Sequence, residues 1–327
     1  MTERLGVLIT GATGFVGRAL SLSLSSLPIY RVVSASRATR AVLEGIEHRS
    51  HELLDATAIP ALEDIEVVIH TAARVHVMND KASSKLEAYR AANVSGTIEL
   101  ANAAAQAGVK RFIYLSSIKV NGEFTLPGRP FAADDVPDPQ DPYGQSKYEA
   151  EQALREIETR TAMSVVIIRP PLVYGPGVGA NFLEMMKWVA RGLPLPLGCI
   201  NNRRSLVGLE NLVDLLRTCI HSPKAGGKTF LVSDGIDLST TQLLREVGKS
   251  LGRQAALLPV PSHLVEILAK ALGKGAMAQR LCKSLQVDIS YTVETLNWTP
   301  PVSVEKALRA TCATYLAGAP TDAKSNK

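Results

Sequence analysis

The chain has 327 residues, a mass of 35.0 kDa, 46% hydrophobic residues and 20% charged residues. That composition excludes a disordered chain, and the length excludes a stapled mini-protein, which leaves one large or two modest domains. Lys+Arg exceed Asp+Glu by 36 to 31, a net charge of +5 with no Lys/Arg run. Such a mild excess suits anionic small molecules at least as well as nucleic acid. Aromatics at 5% argue against a base-stacking surface, so no nucleic-acid partner is expected.

The first strand is predicted at Leu5–Thr10 and runs into a glycine loop. Further strands are predicted at Arg31–Ala35, Val67–His70, Phe112–Ser116 and Val165–Arg169, with helices near Phe15–Leu27, Ser84–Ala107 and Gly144–Thr159 between them. Strands alternating with helices predict right-handed crossovers and a doubly wound parallel α/β sheet of Rossmann type. Pro and Gly are dense from Pro170 to Gly198, which predicts pocket-forming loops. A strand near Thr229–Val232 follows, then a helix opened by the capping box Ser239-Thr-Thr-Gln242 and stopped near Gly252. The segment Val265–Lys274 carries Lys270 and Lys274 and reads as a core-packing helix with a solvated edge rather than a membrane-surface helix. Ser303 is expected to cap a last helix, and Gly318 to Lys327 to fray. The expected domains are residues 1–172 and a smaller 173–327, with part of 203–235 packing back on the first.

Cys199, Cys219, Cys282 and Cys312 contain no CxxC pair, so neither a zinc site nor a disulfide framework is predicted. There is no signal-peptide h-region, and no apolar stretch approaches the ~20 residues of a membrane span. A cytoplasmic protein without an integral membrane segment is expected.

The loop Gly11-Ala-Thr-Gly14-Phe-Val-Gly17 has the spacing GxxGxxG between a strand and a helix. Gly11 permits the sharp turn, Gly14 the close approach of a pyrophosphate, and Gly17 tight helix–strand packing, with the helix N-terminus facing the phosphates. An acid that would hold an NAD ribose is absent after the second strand, where Ser34-Ala-Ser-Arg37-Ala-Thr-Arg40 stands instead. Arg37, assisted by Ser36 and Arg40, suits a 2′-phosphate, so NADP(H) is expected over NAD(H). Asp55 is a candidate for the adenine.

Asp141-Pro142-Tyr143-Gly-Gln-Ser-Lys147 reads as a capped helix start with Tyr143 and Lys147 on one face. A nearby ammonium and the helix dipole favour phenolate, which predicts a lowered tyrosine pKa and a proton shuttle to a carbinol oxygen. Ser117 lies 143 − 117 = 26 residues earlier, at a strand end, where its hydroxyl can bond the same oxygen. Asn93 stands in an alanine-rich helix as a helix-fixing or relay residue, or as a solvent-facing one.

Thr10-Gly-Ala-Thr-Gly-Phe-Val-Gly17, His70-Thr-Ala-Ala73, Asn93-Val-Ser-Gly96, Ser116-Ser117, Pro142-Tyr-Gly-Gln-Ser-Lys147 and Arg169-Pro-Pro-Leu-Val-Tyr-Gly-Pro176 occur in order. Together they resemble the extended short-chain dehydrogenases/reductases of the nucleotide-sugar epimerase/dehydratase group, over almost the whole chain. Within it the chain is most similar to bacterial O-antigen enzymes that reduce UDP-4-keto-6-deoxy-N-acetylhexosamines. The resemblance implies a cofactor lined also by Thr13, Phe15, Val16, Thr71, Ala72, Ala73, Asn93, Ser116, Pro170 and Val173. It implies a UDP-sugar held by Ser117, Asn181, Arg204 and Asp288, and a homodimer through Ser84–Ala107 and Gly144–Thr159. UDP-galactose 4-epimerases usually carry an acid where Arg37 stands and Tyr-Gly where Asn121-Gly122 stands. The expected reaction is therefore 4-keto reduction, with Tyr143 protonating the alkoxide, Lys147 holding the ribose and Ser117 orienting the oxygen. UDP-hexose 4-epimerisation is the nearest rival, and a non-catalytic NADP-binding regulator is a third reading.

Overall fold

The structure, a computed structural model, describes residues 4–38, 43–52, 59–75 and 84–318. Its strands are β1 (Leu5–Thr10), β2 (Tyr30–Ser36), β3 (Glu47–Ser50), β4 (Val67–His70), β5 (Arg111–Leu115), β6 (Ser164–Arg169), β7 (Leu172–Tyr174), β8 (Leu206–Gly208) and β9 (Thr229–Leu231). The helices are α1 (Phe15–Ser25), α2 (Lys85–Arg90), α3 (Gly96–Gln106), α4 (Pro142–Arg160), α5 (Ala180–Ala190) and α6 (Leu209–His221). They continue with α7 (Thr240–Ser250), α8 (Ser262–Ala271), α9 (Gly275–Cys282), α10 (Ser290–Leu296) and α11 (Val304–Gly318).

Seven strands form one parallel sheet in the order β3-β2-β1-β4-β5-β6-β9, and β7 pairs with β8 in a second ladder. This is the Rossmann-type α/β fold. The central strands read as unbroken apolar runs because both faces are covered. Leu8, Val33, Val68, Phe112 and Val165 pack in one core with Leu100, Ala101 and Ala104 of α3 and Ala150, Leu154 and Ile157 of α4. Their opposite-facing neighbours Val7, Ile9, Ile69, Ile113 and Val166 are just as inaccessible. The polar β3 lies beyond the strands given a range from sequence, since Glu47-His-Arg-Ser50 has no apolar alternation to mark an edge strand.

The chain divides into two compact units. The first comprises 1–171, 211–233 and 287–301, and the second 172–210, 234–286 and 302–327. Residues 287–301, assigned from sequence to the second domain, belong to the first unit through α10. There Thr292 Oγ1 donates to Leu231 O at 2.6 Å, Tyr291 stacks on Phe230, and Trp298 Nε1 donates to Asp214 Oδ2 at 2.8 Å.

The single helix expected over Ser84–Ala107 is interrupted by a π-helical turn at Ala91–Ser95 between α2 and α3. That turn carries Asn93, which is 1% exposed and hydrogen-bonded to Arg74 O and Ser146 Oγ. Such turns recur at functional sites.

Candidate active site

The glycine loop leaves β1 with Gly11 at φ +68°, and a Cβ there would stand 2.7 Å from Ala72 N. A Cβ on Gly17 would stand 2.3 Å from Gly11 O and 2.7 Å from Thr71 Oγ1. Both glycines are thus required by close packing of loop, helix and β4. Gly14 is the N-cap of α1 with no side-chain cap, so the first-turn N–H groups are available to an anion. Thr13 and Gly14 are exposed, Phe15 and Val16 half-buried, and Gly17 buried.

Past β2, Ser36 is buried and its hydroxyl accepts from Ala38 N at 3.3 Å. The Arg37 side chain is 82% exposed and has Glu52 Oε2 at 3.9 Å. An acid absent from the end of β2 is therefore supplied beyond β3, which runs parallel beside it with Ser36 opposite Ser50. Arg40 and Asp55 lie outside the described residues.

Asp141 caps α4 by accepting from Gly144 N at 2.6 Å, and Pro142 occupies the first helical position. Asp141 is also paired with Lys119. Tyr143 is half-buried, with the Tyr89 ring edge-on at 5.9 Å. Lys147 is 2% exposed, its Nζ donates to Leu115 O at 2.8 Å, and it lies 4.4 Å above the Tyr114 ring. The ionisation is opposite to the sequence expectation. Burial pushes the Tyr143 phenol well above the ordinary tyrosine range, with Asp141 and Tyr89 adding to the rise. The same burial lowers Lys147 to about 7, against which Glu151 acts. Desolvation dominates at both groups, and Lys147 turns its ammonium toward the Leu115 carbonyl at the end of β5.

Ser117 caps the short turn Ile118–Val120, accepting from Lys119 N at 3.3 Å, and is half-buried. Ser116 has another role. Its hydroxyl donates to Glu151 Oε1 at 2.5 Å, and that carboxylate accepts from Arg169 Nη2 at 2.6 Å and Nε at 3.0 Å. Arg169 Nη1 donates to Asn121 Oδ1 at 3.0 Å, and Asn121 Nδ2 to Ala132 O at 3.0 Å. All four residues are at most 5% exposed. Sequence reasoning assigned Glu151 no role and treated Asn121 only as a departure. The available signal was the i, i+4, i+8 spacing of Tyr143, Lys147 and Glu151 along one face of α4.

A second buried chain starts at the glycine loop. Thr10 Oγ1 lies 2.7 Å from His70 Nδ1, its neighbour across the ladder, and His70 Nε2 lies 3.0 Å from Thr97 Oγ1. Thr97 Oγ1 donates to Asn93 O at 2.7 Å, Asn93 Nδ2 to Ser146 Oγ at 3.0 Å, and Ser146 Oγ to Tyr143 O at 2.8 Å. Asn93 also clamps Arg74, accepting from its N at 2.7 Å and donating to its O at 3.1 Å. Asn93 therefore acts from the interior, and the solvent-facing alternative is excluded. His70 is held well below the ordinary histidine range by burial and by Lys147, so it bridges the two threonines as a neutral ring. Thr71 Oγ1 donates to Thr10 O at 2.6 Å, and Thr71, Ala72 and Ala73 are half-buried beside Gly11. Pro170 is buried and accepts from Ile118 N at 2.9 Å.

Residues 7–233 match the NAD dependent epimerase/dehydratase family. The chain belongs to that family. It is 46% identical over 312 residues to a UDP-glucose 4-epimerase of Vibrio cholerae, covering 95% of each chain. It is 27% identical, over 93% of each chain, to the N-acetyl-alpha-D-glucosaminyl-diphospho-ditrans,octacis-undecaprenol 4-epimerase of Escherichia coli O157:H7. A UDP-glucuronic acid 4-epimerase from Bacillus cereus, solved in complex with NAD, shares the fold with a TM-score of 0.76 at 22% identity, covering 96% of this chain and 99% of that one.

The side chains of this epimerase/dehydratase family member fit a dinucleotide. The loop Gly11–Gly17 and the N-terminus of α1 would hold the diphosphate, and Lys147 has three N–H donors and one bonded acceptor. Its remaining donors would take hydroxyl oxygens.

In the second unit, Val173 is half-buried in the β7–β8 ladder opposite Val207. Asn181 is exposed in the first turn of α5, whose N-cap Gly179 offers no side-chain bond. Arg204 Nη1 donates to Arg280 O at 2.7 Å and Lys283 O at 3.1 Å, and no carboxylate pairs with it among the described residues. Asp288 belongs to the first unit, where it accepts from Ser290 N at 2.8 Å and Ser290 Oγ at 2.6 Å. Asp288 thereby closes a local turn just ahead of α10, whose N-cap is Ile289.

Proposed function

We propose that this protein is an NAD-dependent 4-epimerase of UDP-hexoses. The observation that carries this reading is the 46% identity, across 95% of both chains, to a UDP-glucose 4-epimerase. It displaces the 4-keto reductase expected from sequence. NAD is preferred over NADP(H) because Glu52 stands beside Arg37, where a carboxylate repels a 2′-phosphate and accepts from a 2′-hydroxyl.

When bound, NAD supplies a reversible hydride acceptor for C4 and, in its oxidised form, a positive charge that favours the Tyr143 phenolate. Tyr143 Oη takes the proton of the C4 hydroxyl and later returns it to the same oxygen. Ser117 donates a hydrogen bond to that oxygen, and Lys147 holds the ribose. Asn181 and Arg204 bind the diphosphate, since Arg204 is a partly desolvated guanidinium whose hydrogen bonds go to backbone carbonyls, with no carboxylate paired to it among the described residues.

The test is an assay with UDP-glucose and UDP-N-acetylglucosamine, without added cofactor, on enzyme assayed for retained NAD. Interconversion of the C4 epimers with substoichiometric NAD is expected. Inactivity there, together with stoichiometric consumption of NADPH on UDP-4-keto-6-deoxy-N-acetylglucosamine, would restore the reductase reading.

A further inference from the structure

We propose that the helical hairpin α8–α9 docks this protein peripherally on an anionic phospholipid surface. Helix α8 buries only Val265 among its ten residues. Leu264, Ile267, Leu268 and Leu272 are 43%, 61%, 61% and 74% exposed, and Met277 of α9 is 54% exposed. With the exposed Ala271, the positions are i, i+3, i+4, i+7 and i+8, a single stripe along the helix. In a core-packing helix that stripe faces inward. Here it faces solvent: the buried apolar side chains among the described residues of the hairpin are Val265 and Ala278, and α9 is tied to its unit by backbone acceptors, Leu281 O taking hydrogen bonds from Asn202 Nδ2 and Thr240 Oγ1. Scattered exposed leucines need no explanation, but a continuous stripe marks an interaction surface.

The charges around the stripe select the partner. Between Ser262 and Cys282 the ionised residues are Lys270, Lys274 and Arg280 against Glu266. The three cations are exposed and the acid is half-buried. An apolar face rimmed by cations matches the boundary between acyl chains and anionic headgroups, where a helix lies in the plane of the surface. Each cation there strengthens binding about fivefold. A second copy of this chain fits less well, because a two-fold interface sets equivalent patches together and would bring Lys270 and Lys274 toward their own counterparts. The turn between the helices is closed internally: Gly273 takes φ +70°, and Lys274 N donates to Ala269 O at 2.7 Å. The hairpin can therefore lie against lipid with its turn bonded. No helix among the described residues is long and apolar enough to cross a membrane, so the attachment is peripheral. This surface is independent of which sugar the enzyme takes.

The experiment is flotation of the full chain with phosphatidylglycerol/phosphatidylethanolamine vesicles and with phosphatidylcholine vesicles. Binding to the anionic vesicles alone is expected, falling about tenfold when salt is raised to about 0.5 M. The double variant Ile267→Ser/Leu268→Ser should lose about tenfold or more in vesicle affinity. The charge variant Lys270→Glu/Lys274→Glu should lose as much on anionic vesicles. Both should keep the wild-type turnover of a soluble UDP-sugar and the wild-type far-UV spectrum. Absence of flotation, or flotation unchanged in both variants, overturns the proposal. So does a wild-type dimer, seen by light scattering, that Ile267→Ser/Leu268→Ser converts to monomer without change in vesicle binding.

Discussion

The ammonium of Lys147 lies 4.4 Å above the ring of Tyr114, one residue before the Leu115 carbonyl that takes its hydrogen bond. The end of β5 thus supplies both an acceptor and a π face to a buried cation.

This contact does not restore the lost hydration, and burial holds Lys147 at about 7 against an ordinary 10.5. Between those values the unfolded chain binds a proton that the folded chain does not, so stability rises with pH. Below about pH 7 both states are protonated, and the cost of burying the ammonium is present in full. Lys147→Met removes this dependence. The extra stability of the Met variant over wild type should shrink from pH 7 to 8.5 by on the order of 1 kcal/mol per unit, read from urea unfolding. The raised thiols of Cys219 and Cys312 affect both proteins alike and cancel. A difference independent of pH would show that Lys147 titrates alike in both states.

Glu151→Gln leaves the Arg169 guanidinium buried without its counter-charge. The expected loss is about 3–5 kcal/mol in chemical denaturation. Replacing both members, as Glu151→Leu/Arg169→Met, should regain most of that loss, because no uncompensated charge remains. A single variant as stable as wild type would mean that the pair is solvated.

Tyr143→Phe keeps the edge contact with Tyr89 and removes only the hydroxyl. Turnover should fall about 10²- to 10⁴-fold while retained NAD, measured after denaturation, is unchanged. Retained activity would remove Tyr143 from the proposed proton path.

Gly17→Ala places a methyl where Gly11 O and Thr71 Oγ1 already stand. The backbone oxygen cannot give way without moving the glycine loop. A cost of about 1–3 kcal/mol in stability and a loss of NAD retention are expected together, by thermal unfolding and cofactor titration.

The local geometry of the glycine loop and of the start of α4 was legible in the linear order of residues. The glycine spacing places Gly11 and Gly17 at contacts only glycine allows, and the Asp141-Pro142 cap starts α4 with Tyr143 in its first turn. These are local relationships, carried by turn sterics and helix periodicity within a dozen residues. The buried ion pair was not legible, because Glu151, Arg169 and Asn121 come from α4, β6 and the turn after β5, and their meeting depends on strand order. Glu52 escaped notice for the same reason, since parallel pairing of β2 with β3 brings it to Arg37.

The chain's own letters determined the parallel α/β fold, the dinucleotide loop and the face shared by Tyr143 and Lys147, since each follows from periodicity or backbone sterics over short spans. Packing decided the protonation of those two groups, the inward turn of Asn93 and the outward turn of the α8 stripe. Desolvation and partner choice are properties of the assembled surroundings, and segments far apart in the chain supply them.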